Sequence, residues 1–335
     1  MISEDIVHLF IAAEPTTLIA ASAAICIILQ GGFYMLELRE INIDDKQIFD
    51  KFIKAHRPQV SELNFTNIFM WRNSYKFRFG VVGELLCLIS VPGNAEPFAF
   101  VPIGEYTEKG FIQAFEQIKE YFGAKGWQLV FKRATEDEVG VFKKFIRDEA
   151  QVTLDRDSSD YVYLTEDLIS LAGKKYHGKK NHINSFKKHY EYEYVKLRED
   201  LLEECIRINE EWCARRSCDL HKGLYCEKLA NNEVLRNYKA LGYEGALIKV
   251  SGRFEAYTVG ESLNEDTVVI HIEKANDDIR GLYTFINQQF CESNWNNFMY
   301  INREQDLGLE GLRKAKLSYK PVELVNKYNI VYRAI

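Results

Sequence analysis

Apolar residues alternate or recur at helical spacing along most of the chain, and these spacings predict its first elements. In residues 75–79 aromatic and basic side chains alternate, which is the pattern of a strand with one buried face. Apolar side chains at positions 111, 112, 115, 118 and 122 predict a helix over residues 110–122. Similar patterns predict further strands over residues 36–40, 84–91, 98–103 and 127–132, and helices over residues 40–55 and 139–146.

The same order of elements recurs in the second half of the chain. Residues 267–273 form the most β-branched run and predict a strand, which follows strands predicted over residues 243–250 and 253–263. A helix over 281–291, a strand over 297–302, a helix over 309–316 and strands over 322–326 and 329–334 complete this half. The repeated order of strand, strand, helix, strand, helix predicts a structural duplication and an α+β fold with a mixed sheet in each half.

The N-terminal residues differ from the rest of the chain. Residues 15–36 contain no charged side chain and are marginally long enough to span a bilayer. The Ala, Ser, Thr, Gln and Gly residues that dilute this run favour an extension over a membrane span, with translation starting at Met35. The predicted organisation is therefore an apolar extension outside the globular fold (1–34), an N-terminal domain (35–156) and a C-terminal domain that carries the site (157–335).

Composition narrows the class of protein. Hydrophobic residues make up 47% and charged residues 27% of the 335, which excludes a disordered, collagenous or multi-span membrane chain. The net charge of −6 means that nucleic-acid affinity would need a local basic patch. Seven cysteines without a CxxC pair predict no disulfide framework and a cytoplasmic location. Cys213, Cys218, His221 and Cys226 are not spaced like a zinc knuckle, so no metal site is predicted.

A local basic patch is present in residues 173–190, which read GKKYHGKKNHINSFKKHY. Tyr176, Ile183, Phe186 and Tyr190 recur at helical spacing, so the segment is predicted to be a basic amphipathic helix. Such a face suits RNA, DNA or anionic lipid, whereas the alternative is an ordinary solvated helix. The candidate binding residues are Lys174, Lys175, Lys179, Lys180, Lys187 and Lys188.

Two adjacent predicted strands carry charged side chains within apolar runs. Glu261 lies on the first, and His271 and Glu273 lie on the second; a charge in a sheet interior needs a partner or a ligand. The loop that follows ends in Arg280 and Gly281, which is a candidate phosphate site at a helix start. An ordinary helix start capped by a neighbouring aspartate is the alternative.

A second concentration of polar residues follows the strand predicted over 297–302. Basic side chains there suit phosphate or carboxylate, and acidic ones suit an ammonium or proton transfer. Surface ion pairs among them are the alternative. The candidate substrate-binding residues of this segment are Asn302, Arg303, Glu304, Asp306, Arg313 and Lys316. Nucleotide-binding loops, metal boxes and catalytic-triad patterns are missing from the sequence.

Four segments of the sequence resemble one known family. They are GKKYHGKKNHINSFKKHY, LHKGLYCEKLA (220–230), TVVIHIEKAN (267–276) and NREQDLGLEGLRKAKLSYKPV (302–322). They resemble the C-terminal domain family of bacterial phosphatidylglycerol lysyltransferases, including its stand-alone members, over residues 35–335. The resemblance implies two GNAT-like acyltransferase folds in tandem, each a mixed, mostly antiparallel sheet flanked by helices.

The resemblance also implies a class of reaction. The best-known relatives transfer an aminoacyl group from aminoacyl-tRNA to a lipid hydroxyl. We expect an acyl- or aminoacyltransferase that uses aminoacyl-tRNA or acyl-CoA as donor substrate, with no tightly bound cofactor. Without the many-span membrane domain of those relatives, the acceptor stays open among small molecules, peptides and lipids. A non-catalytic module that binds RNA or anionic lipid, with peripheral membrane contact, is the alternative.

Acyl transfer requires few special residues, because positioning supplies much of the rate. Glu273, His271 and Glu261 are the candidates for proton transfer or for holding a substrate ammonium. Backbone N–H groups where the strand over 267–273 leaves its neighbour are candidates for stabilising an oxyanion. We expect the lysines of residues 174–188 to contact the tRNA acceptor arm.

Overall fold

Two β-sheets organise the chain in the computed structural model, which describes residues 36–333 except 94, 148 and 149. Residues Leu36–Ile335 form one compact unit, and the predicted N-terminal extension lies outside the described residues. Within the described ranges, every helix is too short or too polar to cross a membrane.

The first sheet is built mainly from the N-terminal half of the chain, in the order β1-β2-β3-β4-β6-β15-β7, with β5 paired to β3. Its strands are β1 (Arg39–Glu40), β2 (Phe77–Val82), β3 (Leu85–Ser90), β4 (Phe98–Ala99), β5 (Ile103–Gly104), β6 (Val130–Ala134), β7 (Ala150–Leu154) and β15 (Tyr328–Tyr332). Strand β15 comes from the far end of the chain and pairs antiparallel with both β6 and β7.

The second sheet has the order β14-β8-β13-β12-β11-β10-β9 and is antiparallel except between β12 and β13. Its strands are β8 (Asp160–Leu164), β9 (Tyr192–Lys196), β10 (Glu244–Val250), β11 (Arg253–Ser262), β12 (Thr267–Ala275), β13 (Tyr300–Asn302) and β14 (Glu323–Val325). The long hairpin of β11 and β12 lies near the middle of the sheet.

Helices flank both sheets. They are α1 (Lys46–His56), α2 (Phe65–Tyr75), α3 (Glu108–Ala124), α4 (Glu136–Ile146), α5 (Thr165–Ser170), α6 (His177–His189), α7 (Leu202–Arg215), α8 (Lys222–Arg236), α9 (Tyr238–Leu241), α10 (Leu282–Asn294) and α11 (Glu310–Leu317). The sequence explains the start and the packing of α3. The Thr107 hydroxyl accepts a hydrogen bond from the Gly110 N–H at the start of the helix, and the apolar side chains of α3 are buried against the first sheet.

The fold is α+β, with two mostly antiparallel sheets flanked by helices, as predicted. The boundary between residues 156 and 157 stays a prediction. Any division of the chain has to account for Tyr328–Tyr332, because this strand lies between β6 and β7 of the first sheet.

One sequence prediction about cysteine is wrong: Cys213 and Cys218 form a disulfide. Helix α7 ends at Arg215, and the turn that follows returns the chain, so the two Cα atoms lie 5.2 Å apart. The bond involves two of the four residues considered for zinc. Among the described residues no group of side chains is arranged to hold a metal ion.

Candidate functional site

Strands β12 and β13 separate after a short parallel pairing. They pair at only three positions, from Thr267 opposite Tyr300 to Val269 opposite Asn302. Strand β13 ends there, whereas β12 continues to Ala275. The edge of β12 beyond Val269 therefore faces an opening between the two strands, which is where ligands commonly bind in sheets that contain parallel strands.

A β-bulge at this opening aims the side chains of β12. Val259 pairs with Ile272 and Gly260 with Ile270, so His271 is the extra residue. Gly260 is needed opposite the bulge, since a Cβ atom there would lie 2.7 Å from the Val269 carbonyl oxygen. The bulge interrupts the normal alternation of β12, and His271 and Glu273 consequently have separate sets of partners.

His271 lies between two carboxylates. Its Nε2 is 3.1 Å from Glu261 Oε1 and its Nδ1 is 3.1 Å from Glu304 Oε1, and its side chain is fully buried. Burial opposes the charged form, but the hydrogen bonds to both glutamates outweigh it and raise the pKa of His271 to about 9. An imidazolium at neutral pH donates to both carboxylates and has no free lone pair with which to accept a proton.

The N-terminal half also contributes to this cluster. The Asn67 side-chain amide on α2 donates to Glu304 Oε1 at 3.1 Å. Burial raises the pKa of Glu261, but the bond with His271 and the polar side chains of Thr66 and Asn64 more than offset it, so the pKa is lowered. Asn64, Thr66 and Asn67 were missed from the sequence. The signal that marks them is their polar character within an otherwise aromatic run.

Glu273 belongs to a second cluster, together with Arg303. Glu273 Oε1 accepts from Arg303 Nη2 at 2.9 Å, and its Oε2 accepts from the Asn287 amide on α10 at 3.1 Å. The Arg303 guanidinium lies 4.8 Å from the ring centre of Tyr319, and its buried Nη1 has no hydrogen-bond partner among the described residues. Burial lowers the pKa of Arg303, yet Glu273 outweighs burial and raises it.

Lys179 connects the basic helix to this second cluster. Its ammonium lies 3.8 Å from the ring centre of Tyr319. Burial and the nearby charge of Arg303 lower the pKa of Lys179 to about 8. Two segments that the sequence identified separately, the basic helix and the strand end after β13, therefore meet at one place.

Lys316 supports the end of β13 from α11. Its ammonium donates to the backbone carbonyls of Arg303 and Glu304. Burial, together with the charge of Arg303, lowers the pKa of Lys316 to about 8. Glu304 has a left-handed backbone with φ of 56°, so this contact holds a strained turn in place.

The Arg313 and Asp306 side chains bind each other. Arg313 donates to Asp306 at 2.8 and 2.9 Å and to Asp157 at 2.6 Å, and Asp306 is fully buried. Burial raises the pKa of Asp306, but its bonds with Arg313, Tyr161 and the Gly308 N–H lower it overall. This is the ion-pair alternative of the sequence analysis; substrate binding by Arg313 stays a prediction.

Arg280 and Gly281 lie at the start of α10, against the basic helix. Gly281 has φ of 91°, and a Cβ atom there would lie 2.4 Å from the His182 carbonyl oxygen of α6. The glycine is therefore required by helix packing, and an acceptor atom occupies the space beside it. Asn302 is likewise a structural contact, donating to Asp160 at 3.0 Å in a buried network with Lys327. Phosphate binding by Arg280 and Gly281, and substrate binding by Asn302, stay predictions.

The basic segment forms an amphipathic helix, as its spacing predicts, but this helix covers His177–His189 and is preceded by a 3₁₀ turn over Lys174–Tyr176. Tyr176, Ile183 and Phe186 are buried, while five of the six candidate lysines are exposed and Lys179 is half-buried. Lys175 forms an ion pair with Asp167 at 2.9 Å. The exposed ones are Lys174, Lys175, Lys180, Lys187 and Lys188.

Comparison with known proteins identifies the family. The family model described as "Phosphatidylglycerol lysyltransferase, C-terminal" matches residues 54–331. The chain belongs to this family. A conserved protein of unknown function from Bacteroides thetaiotaomicron is 32% identical, with a TM-score of 0.83 over 89% of this chain and all of that one.

Solved structures of lower sequence identity share the fold. L-PGS from Bacillus licheniformis is 15% identical with a TM-score of 0.61, over 87% of this chain and 93% of that chain. FemX is 10% identical with a TM-score of 0.57, over 88% and 97% respectively. An uncharacterised protein of Mycoplasmoides gallisepticum is 26% identical over 58% of this chain, and the match spans 63% of that curated relative. The chain thus shares its α+β fold with these solved structures, in agreement with the fold that the resemblance implied.

Proposed function

We propose that this chain is an aminoacyltransferase that takes its aminoacyl group from aminoacyl-tRNA. The observation that carries the proposal is the opening between β12 and β13, beside which the Glu273–Arg303 pair meets Lys179 of the basic helix. Such an opening beside a lysine-rich surface suits a donor that combines a reactive ester with a polyanionic chain, because lysines neutralise phosphates. The family name, which specifies lysyl transfer, supports the same class of reaction.

The proposed step is an acyl transfer at the opening. The amine or hydroxyl of the acceptor attacks the ester carbonyl carbon of the donor, and a new C–N or C–O bond forms. The C–O bond to the tRNA ribose breaks, the acceptor gives up a proton to Glu273, and Glu273 passes this proton to the departing ribose oxygen. Backbone N–H groups on the open edge of β12 are assigned to the oxyanion, and His271 is assigned to positioning Glu261 and Glu304.

The geometry around α10 favours tRNA over coenzyme A as the donor. A pyrophosphate at a helix start needs free N–H donors in a glycine-rich turn. At Gly281 the His182 carbonyl oxygen fills that space, and Asp277 before it is bonded to Arg216 at 2.9 Å. The exposed lysines of α6, by contrast, form a surface long enough to contact several phosphates.

The proposal is tested by the discharge of radiolabelled aminoacyl-tRNA in the presence of the purified chain. Lys179→Ala is expected to slow discharge at least tenfold, because it removes the lysine that joins the basic helix to the Glu273–Arg303 pair. Glu273→Gln is expected to reduce the maximal rate and to leave tRNA binding unchanged.

The matched control is Lys188→Ala, an exposed lysine at the far end of the same helix. We expect it to weaken tRNA binding only slightly and in a salt-dependent manner. Equal binding of charged and uncharged tRNA, with no discharge under any condition, would refute aminoacyl transfer. Discharge of acetyl-CoA instead would reassign the donor.

A further inference from the structure

A cleft of about 680 Å³ leads to the His271 cluster from the side of the N-terminal half. One wall is the end of α1 and the segment after it, and the other is the turn between β11 and β12 with β14. Glu261 lines the cleft and also bonds His271. Glu261 therefore joins the cleft to the His271 cluster.

Opposite charges face each other across this cleft. Lys54 and Arg57 are exposed on the α1 wall, and Glu265 and Glu323 are exposed on the other wall. Within the described part of the chain none of these four side chains has an ion-pair partner, unlike Lys46, which pairs with Asp50 at 2.7 Å. The cleft thus offers a ligand both cationic and anionic partners that the fold itself leaves free.

This charge pattern discriminates between acceptor classes. A lipid acyl chain that reached Glu261 through the cleft would have to desolvate charged side chains without pairing them, which is unfavourable. A hydrophilic molecule with an ammonium and a carboxylate can pair with both walls. The hydrogen bond between the Asn264 amide and the Pro58 carbonyl, at 3.0 Å, links the two walls and limits the width available.

We propose that the cleft binds the acceptor, and that the acceptor is a short zwitterionic peptide bearing a primary amine. Its carboxylate binds Lys54 and Arg57, and its ammonium is drawn towards Glu261 and loses one proton to solvent. The free amine then attacks the ester carbonyl carbon, and its second proton passes through Glu273 to the departing ribose oxygen. This inference rests on the proposed aminoacyl transfer, since it names the second substrate of that reaction. An amide bond forms as the ester bond to tRNA breaks.

The test uses the dipeptide glycyl-lysine, its C-terminal amide and vesicles of phosphatidylglycerol as probes of the whole chain. Binding of each dipeptide is measured by calorimetry, and transfer to all three probes is measured with labelled aminoacyl-tRNA. For the double variant Lys54→Ala/Arg57→Ala we expect the Kd for glycyl-lysine to rise about fivefold. The effect is modest because the ion pairs of the ligand carboxylate with Lys54 and Arg57 are exposed. No change is expected in the Kd for the amide. Lys51→Ala is the control, because this lysine lies on α1 but pairs with Glu84, outside the cleft.

The outcomes separate the two proposals. Equal binding of the acid and the amide, or transfer to vesicles alone, overturns the peptide acceptor and leaves aminoacyl transfer standing. Charge-dependent dipeptide binding without any discharge of aminoacyl-tRNA supports the ligand class of the cleft and refutes the transfer reaction. Charge-dependent binding together with dipeptide aminoacylation supports both.

Discussion

Replacing His271 by Gln is expected to remove a pH-dependent share of the stability of the fold. The pKa of His271 is raised from 6.5 to about 9 in the folded chain, so the charged ring stabilises the fold fully below pH 6.5 and loses this effect as pH rises through 9. At about 1.4 kcal/mol per pH unit, this amounts to roughly 3 kcal/mol at pH 6.5, about half of it by pH 8 and little at pH 9.5. The side chain is fully buried, so solvent screening does not reduce it.

The assay is urea unfolding of the wild-type chain and His271→Gln at pH 6.5, 8 and 9.5. Lys179 and Lys316, whose pKa values are lowered to about 8, have the opposite sign: they add stability as pH rises towards 10.5. Subtracting the variant from the wild type cancels their effect. His189→Gln is the matched control, because this ring is exposed at the end of α6. A difference in unfolding free energy that stays constant from pH 6.5 to 9.5 would show that His271 is neutral in the fold.

Three further predictions concern the elements around the opening. Gly281→Ala is expected to lower the free energy of unfolding by about 1–3 kcal/mol, because the backbone of Gly281 is left-handed and contacts α6. The control is Gly178→Ala, which should be neutral or stabilising in the same urea unfolding assay, because there is open space around Gly178. Arg313→Ala is expected to lower the urea midpoint more at pH 7 than at pH 3. Asp306, with its lowered pKa, stabilises the fold above pH 3.8, and this stabilisation is lost as pH falls. An equal loss of stability at both pH values would contradict the ion pair. Lys316→Met is expected to reduce the rise in unfolding free energy between pH 8 and 10.5, because this rise comes from the lowered pKa of the buried lysine. An unchanged rise in the same urea series would show that Lys316 is not buried.

Local pattern predicted the helices and strands whose apolar residues face one core. The helix predicted over residues 110–122 is Glu108–Ala124, and the strand predicted over 267–273 is Thr267–Ala275. Helices α7 and α8 were not predicted from the sequence, because both bury asparagine side chains in the protein interior. Asn209 bonds Asn232 at 2.9 Å and accepts from Asn231 at 3.1 Å. Asparagines that bond each other in the interior are the same residue type as asparagines on a solvated surface. The spacing of apolar residues alone therefore does not reveal a buried amide network.

The candidate site was predicted in its parts and missed in its arrangement. Charge within an apolar strand was enough to single out Glu261, His271 and Glu273. His271 and Glu273 have separate partners because of the bulge opposite Gly260. A bulge is a property of the pairing of two strands and cannot be predicted from the sequence of one strand. The contribution of Asn67 likewise depends on contact between distant parts of the chain.

The position of β15 has a consequence for how the chain is made. Ribosomes release the N-terminal half first, yet β15, which lies between β6 and β7, is synthesised only after the whole second sheet. Until then Val130–Ala134 and Ala150–Leu154 each lack a neighbour and present unpaired strand edges. Completion of the first sheet during translation therefore waits for the second. A nascent chain halted before Tyr328 is expected to be a target for chaperones and for aggregation.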